Sequence, residues 1–218
     1  MRLSHSWDLS PRQAATLQKE LAGQVVREPR LGPVTTVAGV DVGYRNGMAH
    51  AAVAILSYPE LEVITHSFAS RPVTFPYVPG LLSFREGPAV LEALEGLKRK
   101  PDLLIFDGHG LAHPRRFGLA CHIGLLVDIP AIGCAKSRLC GQYEEPDLEG
   151  GSTAPLVDAG ETIGAVVRTR EAVKPVFVSI GHRVDLRTSV DYVLACCRRY
   201  RLPETTRWAH RLAQDKGL

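Results

Sequence analysis

The chain has 218 residues, 45% of them hydrophobic and 22% charged, with a formal net charge of +3. This balance suits one globular domain with a sizeable core and excludes a disordered or strongly basic chain. Five cysteines, an odd number without a C-x-x-C, exclude a disulfide framework or zinc knuckle, and "MRLSHSWDLSPRQ" has no apolar signal core, so we expect a cytoplasmic protein with reduced thiols and no membrane span.

In chain order, "SPRQAATLQKELAGQVV" (10–26) predicts an amphipathic helix, with Ser10 as N-cap and Pro11 at the first helical position. The β-branched "VTTVAGVDVGY" (34–44) predicts a strand. "AHAAVAILSYP" (49–59) and "LEVITHSFAS" (61–70) predict two more, joined by a short turn as an antiparallel meander. "TFPYVPGLLSF" (74–84) reads as a loop broken by Pro and Gly, and "REGPAVLEALEGLKRK" (85–100) as a helix closed by Pro101. "DLLIFD" (102–107) is apolar enough for a central strand buried on both faces. A helix over 115–128, strands over 130–136, 165–169 and 175–181, and helices over 186–200 and 204–217 follow. Residues 141–160 read as a surface loop or short insert. A meander followed by alternating helix and strand implies an α/β fold, a mixed sheet with helices on both faces, with no linker to divide it.

Asp41 in "GVDVGY" and Asp107 in "LLIFDGHG" both stand where a β-run gives way to glycine. Sites in open α/β sheets lie at strand ends, and two such acids on neighbouring strands repel unless a cation lies between them. Hard oxygen donors suit Mg²⁺ or Mn²⁺ better than zinc. Taken alone, each Asp is equally a turn residue. Glu86 is either a helix-dipole carboxylate or a third acid of the site. His109 and His113 are metal-ligand, proton-shuttle or polar loop histidines. Arg115 and Arg116 open a basic helix start that could meet phosphate. Lys136, at the end of a buried strand, is a surface lysine or a point charge for phosphate. Tyr77, between two prolines, is a rigidly presented aromatic able to wedge between bases or to pack on its own loop.

Taken together, "GVDVGY", "PYVPGLLSFREGP", "PDLLIFDGHGLAHPRRFGLACHIGLLVDIPAIGCAKSRLCG", "GHRV" and "YRLPETTRWA" resemble the endonuclease V family, over roughly Leu17 to Ala213. The resemblance implies a ribonuclease H-like fold and a Mg²⁺-dependent DNA repair nuclease, with Mn²⁺ as substitute. It would nick the second phosphodiester 3′ to deoxyinosine, leaving 3′-hydroxyl and 5′-phosphate ends. By the same resemblance Asp41, Glu86 and Asp107 are metal-binding acids, with His210 a further metal-associated position. Lys136 lies near the scissile phosphate and His113 close to the active site. Tyr77 is the wedge that fills the gap left by the damaged base, and Gly80, Leu82, Gly108, Gly110, Leu119 and Leu139 surround the base pocket. The expected partner is deoxyinosine DNA and the expected state a monomer. The alternative within nucleases is inosine RNA, which contacts to the 2′-hydroxyl would decide. An actin-like phosphate loop at "GVDVGY" would need a second half that the chain has no room for, and a non-catalytic lesion binder would not need all three acids.

Overall fold

A computed structural model describes residues 4–214. Eight strands form one mixed sheet in the order β3-β2-β1-β4-β5-β8-β7-β6. They are β1 (Thr36–Arg45), β2 (Met48–Ser57), β3 (Val63–Pro72), β4 (Leu103–Phe106), β5 (Ala131–Ala135), β6 (Thr153–Asp158), β7 (Glu161–Val167) and β8 (Val176–His182). The helices are α1 (Pro11–Ala22), α2 (Leu82–Glu95), α3 (Leu119–Val127), α4 (Leu186–Ala195) and α5 (Glu204–Gln214). The β1–β2–β3 meander is antiparallel, β1, β4 and β5 run parallel, and β8, β7 and β6 return antiparallel.

Period-two alternation divides the sheet's side chains between two cores. Ala38, Val40, Leu104 and Phe106 pack with Ala89 and Ala93 of α2 and with Ala120 and Ile123 of α3. Their neighbours Val37, Leu103 and Ile105 pack on the other face with Val193 of α4 and with Trp208 and Leu212 of α5. Helices therefore cover both faces, and β4 is buried at all four positions, as its apolar run implies. Close approach of α5 depends on glycine. A β-carbon at Gly39 would run into the Thr205 carbonyl, and one at Gly43 would lie 2.8 Å from the Ala213 carbonyl.

The helix α1 begins as expected, with a capping box between Ser10 and Gln13. Other boundaries differ from expectation. The helix placed at 85–100 starts one turn earlier and contains Pro88. Glu86, read as an acid at the helix start, instead lies in the second turn, with no acid in the first. The helix placed at 115–128 starts at Leu119, because Arg116 takes a left-handed φ of 54° and Gly118 is extended. The 141–160 segment is not all loop: β6 lies in it, and Gln142 bridges to Val157. The expected end of the last helix, 215–217, lies outside the described residues. Among the described residues no helix is long and apolar enough to cross a membrane.

Two outcomes follow from this packing. Gly39→Ala should destabilise the fold by about 3 kcal/mol, a fall of roughly 6–12 °C in Tm for a chain of this length. Gly32→Ala, where a β-carbon meets nothing within 4 Å, should leave Tm unchanged. The second outcome concerns His122, which is fully buried, with Nδ1 3.0 Å from Ser83 Oγ and Nε2 2.7 Å from His5 Nε2. Burial, then the His5 charge, pushes its pKa well below the ordinary histidine value. As pH falls through about 6.5 the unfolded chain takes up a proton here and the folded chain does not. Stability is thus intact above that pH and lost below it. The urea midpoint should fall between pH 7.5 and 5.5, and fall less in His122→Gln.

Candidate active site

The parallel pairing of β1 with β4 sets the site. Val40 pairs with Phe106, and the Asp107 N–H donates to the Val40 carbonyl at 3.0 Å, which carries the register one step further and lays Asp107 beside Asp41. Asp107 follows β4 directly, as expected. Asp41 does not end its strand; β1 continues to Arg45, because it pairs with β2 along its full length. Glu86 reaches the same sheet end from α2 and is only 6% exposed.

These three carboxyls feel one another. Burial, opposed by a hydrogen bond from Tyr44 and reinforced by the Asp41 and Asp107 charges, pushes Glu86 up to about 8. Burial and then Asp107 also raise Asp41, against the pull of His210 and Lys136. Two groups offset the repulsion. The Lys136 ammonium, directly after β5, pairs with Asp107 Oδ2. His210 Nδ1, on α5, lies 2.7 Å from Asp41 Oδ2. On Glu86 itself, the Tyr44 hydroxyl donates to Oε1 at 3.0 Å.

Among the described residues no three His, Cys, Asp or Glu side chains already close on one point as a ligand shell. The chemistry of the donors nonetheless fits a hard divalent cation: three carboxyls crowd one sheet end, Asp41 and Glu86 are raised by burial and by their neighbours' charge, and His210 adds an imidazole nitrogen beside Asp41.

Next to the acids is a cavity of about 130 Å³. Tyr77, Gly80, Leu82, Gly108, His113, Leu119 and Leu139 all line it, joined by His109 and Gly118. This is well under the ~300 Å³ of a pocket for a drug-sized ligand, so it suits one ring system better than a whole nucleotide. Tyr77 is 72% exposed at the rim. Gly110 stands apart: its N–H donates to Ser179 Oγ at 3.0 Å and its backbone packs against the Ile180 carbonyl, behind the wall. His113 is buried, which pushes it down to about 4. His109 is also pushed down to about 4 by burial. A larger cavity of about 430 Å³, between the amino-terminal segment and α2 and α3, contains none of the expected site residues.

The arginines are not a basic helix start. Arg116 is held by Asp158 at 2.9 Å and Glu161 at 2.7 Å, and so ties the 113–117 turn to the β6–β7 hairpin. Arg115 turns inward to Gln18 and to the Gly80 carbonyl. Sequence reasoning missed Gln18, Tyr44, Ser179 and Arg201, whose guanidinium donates to the Lys136 carbonyl at 2.6 Å. Each is remote in sequence from its partner, and no local pattern marks it.

Glu86→Gln keeps the Tyr44 hydrogen bond and removes a repelled, buried carboxyl. It should stabilise the protein by about 1–4 kcal/mol, which thermal melting at neutral pH checks.

The Endonuclease V family profile matches residues 19–211. Endonuclease V of Roseiflexus sp. (strain RS-1) is 55% identical over 207 residues, covering 95% of this chain and 93% of that one. The crystal structure of endonuclease V from Streptomyces avermitilis superposes with a TM-score of 0.91 at 45% identity, covering 98% of this chain and 95% of that one. Endonuclease V of Ciona intestinalis, in complex with a 23mer DNA containing an inosine followed by a ribo-adenosine, superposes with a TM-score of 0.83 at 27% identity, covering 94% and 97%. With likeness of this degree along nearly its whole length, the chain belongs to the endonuclease V family of nucleases.

Proposed function

We propose that this protein is a Mg²⁺-dependent DNA repair endonuclease that nicks the second phosphodiester 3′ to deoxyinosine, leaving 3′-hydroxyl and 5′-phosphate ends, and that residues 1–218 act as a single-domain cytoplasmic monomer. The observation that carries it is one juxtaposition: Gly108, on the wall of the small cavity, directly follows Asp107 of the acid cluster. A base held in the cavity leaves its backbone to run towards the acids.

Inosine pairs poorly, so turning it out of the stack costs less than turning out a normal base. Tyr77, stiffened by Pro76 and Pro79 and exposed at the rim, fills the gap it leaves. Hypoxanthine carries a carbonyl where adenine carries an amine. Backbone N–H donors in the glycine-rich wall favour the carbonyl, since glycine allows close approach. Asp41, Glu86, Asp107 and His210 are the residues that would hold Mg²⁺, or Mn²⁺ in its place. When bound, such a cation supplies Lewis-acid stabilisation of a phosphate. The Lys136 ammonium adds positive charge beside Asp107, where charge gathers as the phosphodiester is attacked.

A second reading, cleavage of inosine-containing RNA, is favoured by the ribo-adenosine that follows inosine in the nucleic acid bound to the Ciona relative. The two part on a single comparison. A duplex with one deoxyinosine and a single-stranded RNA with one inosine are incubated with the enzyme at equal salt, with Mg²⁺ or EDTA. Deoxyinosine DNA should be nicked faster, and neither substrate should be cut in EDTA. Lys136→Ala should lower the rate at saturation about a hundredfold, and Asp107→Ala at least as much. Equal cutting of undamaged duplex, or an active Asp107→Ala, rejects the proposal.

A further inference from the structure

Gly80 has a φ of +78°, a conformation other residues rarely adopt. Its carbonyl accepts three side-chain donors: Gln18 Nε2 at 3.1 Å, His113 Nε2 at 2.9 Å and Arg115 Nη2 at 2.7 Å. A carbonyl has two lone pairs, so three donors more than satisfy it. The donors also bond one another. Gln18, 1% exposed on α1, gives its other N–H to the Phe117 carbonyl at 3.0 Å and accepts Arg115 Nε at 2.5 Å. Every hydrogen-bonding atom of its side-chain amide is engaged, which accounts for a buried glutamine on an otherwise amphipathic helix.

His113 is equally committed. Because Nε2 donates to Gly80, Nδ1 is the acceptor, and it takes the Arg115 backbone N–H at 3.1 Å. Neither ring nitrogen is left for substrate. A β-carbon at Gly80 would lie 2.8 Å from Arg115 Nη2 and 3.3 Å from His113 Nε2, so the clamp occupies the space that glycine leaves. Three residues upstream stands the exposed ring of Tyr77.

We propose that Gln18, His113 and Arg115 clamp the Gly80 carbonyl to hold the Tyr77–Gly80 segment at the cavity mouth, and that they are positioning residues for lesion recognition. This rests on the deoxyinosine reading above, and gives His113 a role other than proton transfer. Segments fixed before binding spend less interaction energy on ordering. Loss of the clamp should therefore weaken capture of the flipped base far more than it slows cleavage once the base is bound.

The test uses a duplex with one deoxyinosine and a neighbouring 2-aminopurine, which brightens when its stacking partner leaves. The variants are Gln18→Leu and Arg115→Met, with Arg115→Lys as the conservative control, each also combined with Tyr77→Ala. Each single loss should raise the enzyme concentration for half-maximal cleavage about tenfold, and dim the 2-aminopurine signal, with a much smaller fall in rate at saturation. Arg115→Lys should recover part of the loss, because it keeps a donor but not the fork. In the Tyr77→Ala background the clamp substitutions should add little. Full additivity there, or a fall in saturating rate with half-saturation unchanged, overturns the proposal. Amide hydrogen exchange over 77–81 gives a readout that needs no substrate. It should quicken in Gln18→Leu, and unchanged exchange overturns the clamp even if the wild type nicks deoxyinosine. If exchange quickens but the wild type ignores deoxyinosine, the clamp stands and the substrate assignment fails, and with it the link to lesion recognition.

Discussion

The parallel register of β1 against β4 is the constraint on which the site depends. It sets Asp41 and Asp107 side by side at one sheet end, where burial and the Asp107 charge both oppose ionisation of Asp41. No core would gather such groups for stability, since buried like charges cost more than their removal. The surroundings manage this cost. Lys136 closes on one acid, His210 on the other, and Tyr44 bonds to the third. The close seat of α5 on Gly39 and Gly43 brings His210 within reach, so a packing feature of the sheet is also an electrostatic feature of the site.

The cavity beside the acids is built on a different basis. Its walls include short stretches of glycine, leucine and proline, and two of the backbone groups around it are bound within the protein. Gly110 gives its N–H to Ser179, and the Gly80 carbonyl is held from three directions. The result is a small, stiff, largely apolar opening with an exposed tyrosine at its rim, joined to the acids through the peptide between Asp107 and Gly108. The cavity and the acid cluster thus occupy adjoining segments of one chain, and the sheet supplies the base for both.

Several elements were legible because local physics determines them. The Ser10 cap with its capping box, the fully buried β4 run and the β1–β2–β3 meander follow from capping, hydropathy and short turns. The errors arose where tertiary contacts override local signals. The helix expected from Arg85 starts at Leu82 with Pro88 inside it, and Glu86, expected at its start, is buried in the second turn. β6 was hidden in a polar segment because an edge strand needs little apolar patterning once β7 pairs with it. Arg115 and Arg116 read as solvated cations, and acquire structural partners only when residues 18, 80, 158 and 161 are brought beside them.

By itself, the sequence determined the class of fold, the residue types able to carry the chemistry and the family, because hydropathy periods and long motifs are properties of contiguous residues. Only the tertiary structure decided that five of the six expected base-pocket residues share one cavity with Tyr77 and that Gly110 lies behind it. It alone set Asp41 in mid-strand and turned "HPRR" inward. These depend on pairing across 66 residues from Asp41 to Asp107 and across 62 from Gln18 to Gly80, distances over which no local pattern carries information. The chain supplied the groups; the sheet register and the glycine-permitted seat of α5 supplied their meeting place.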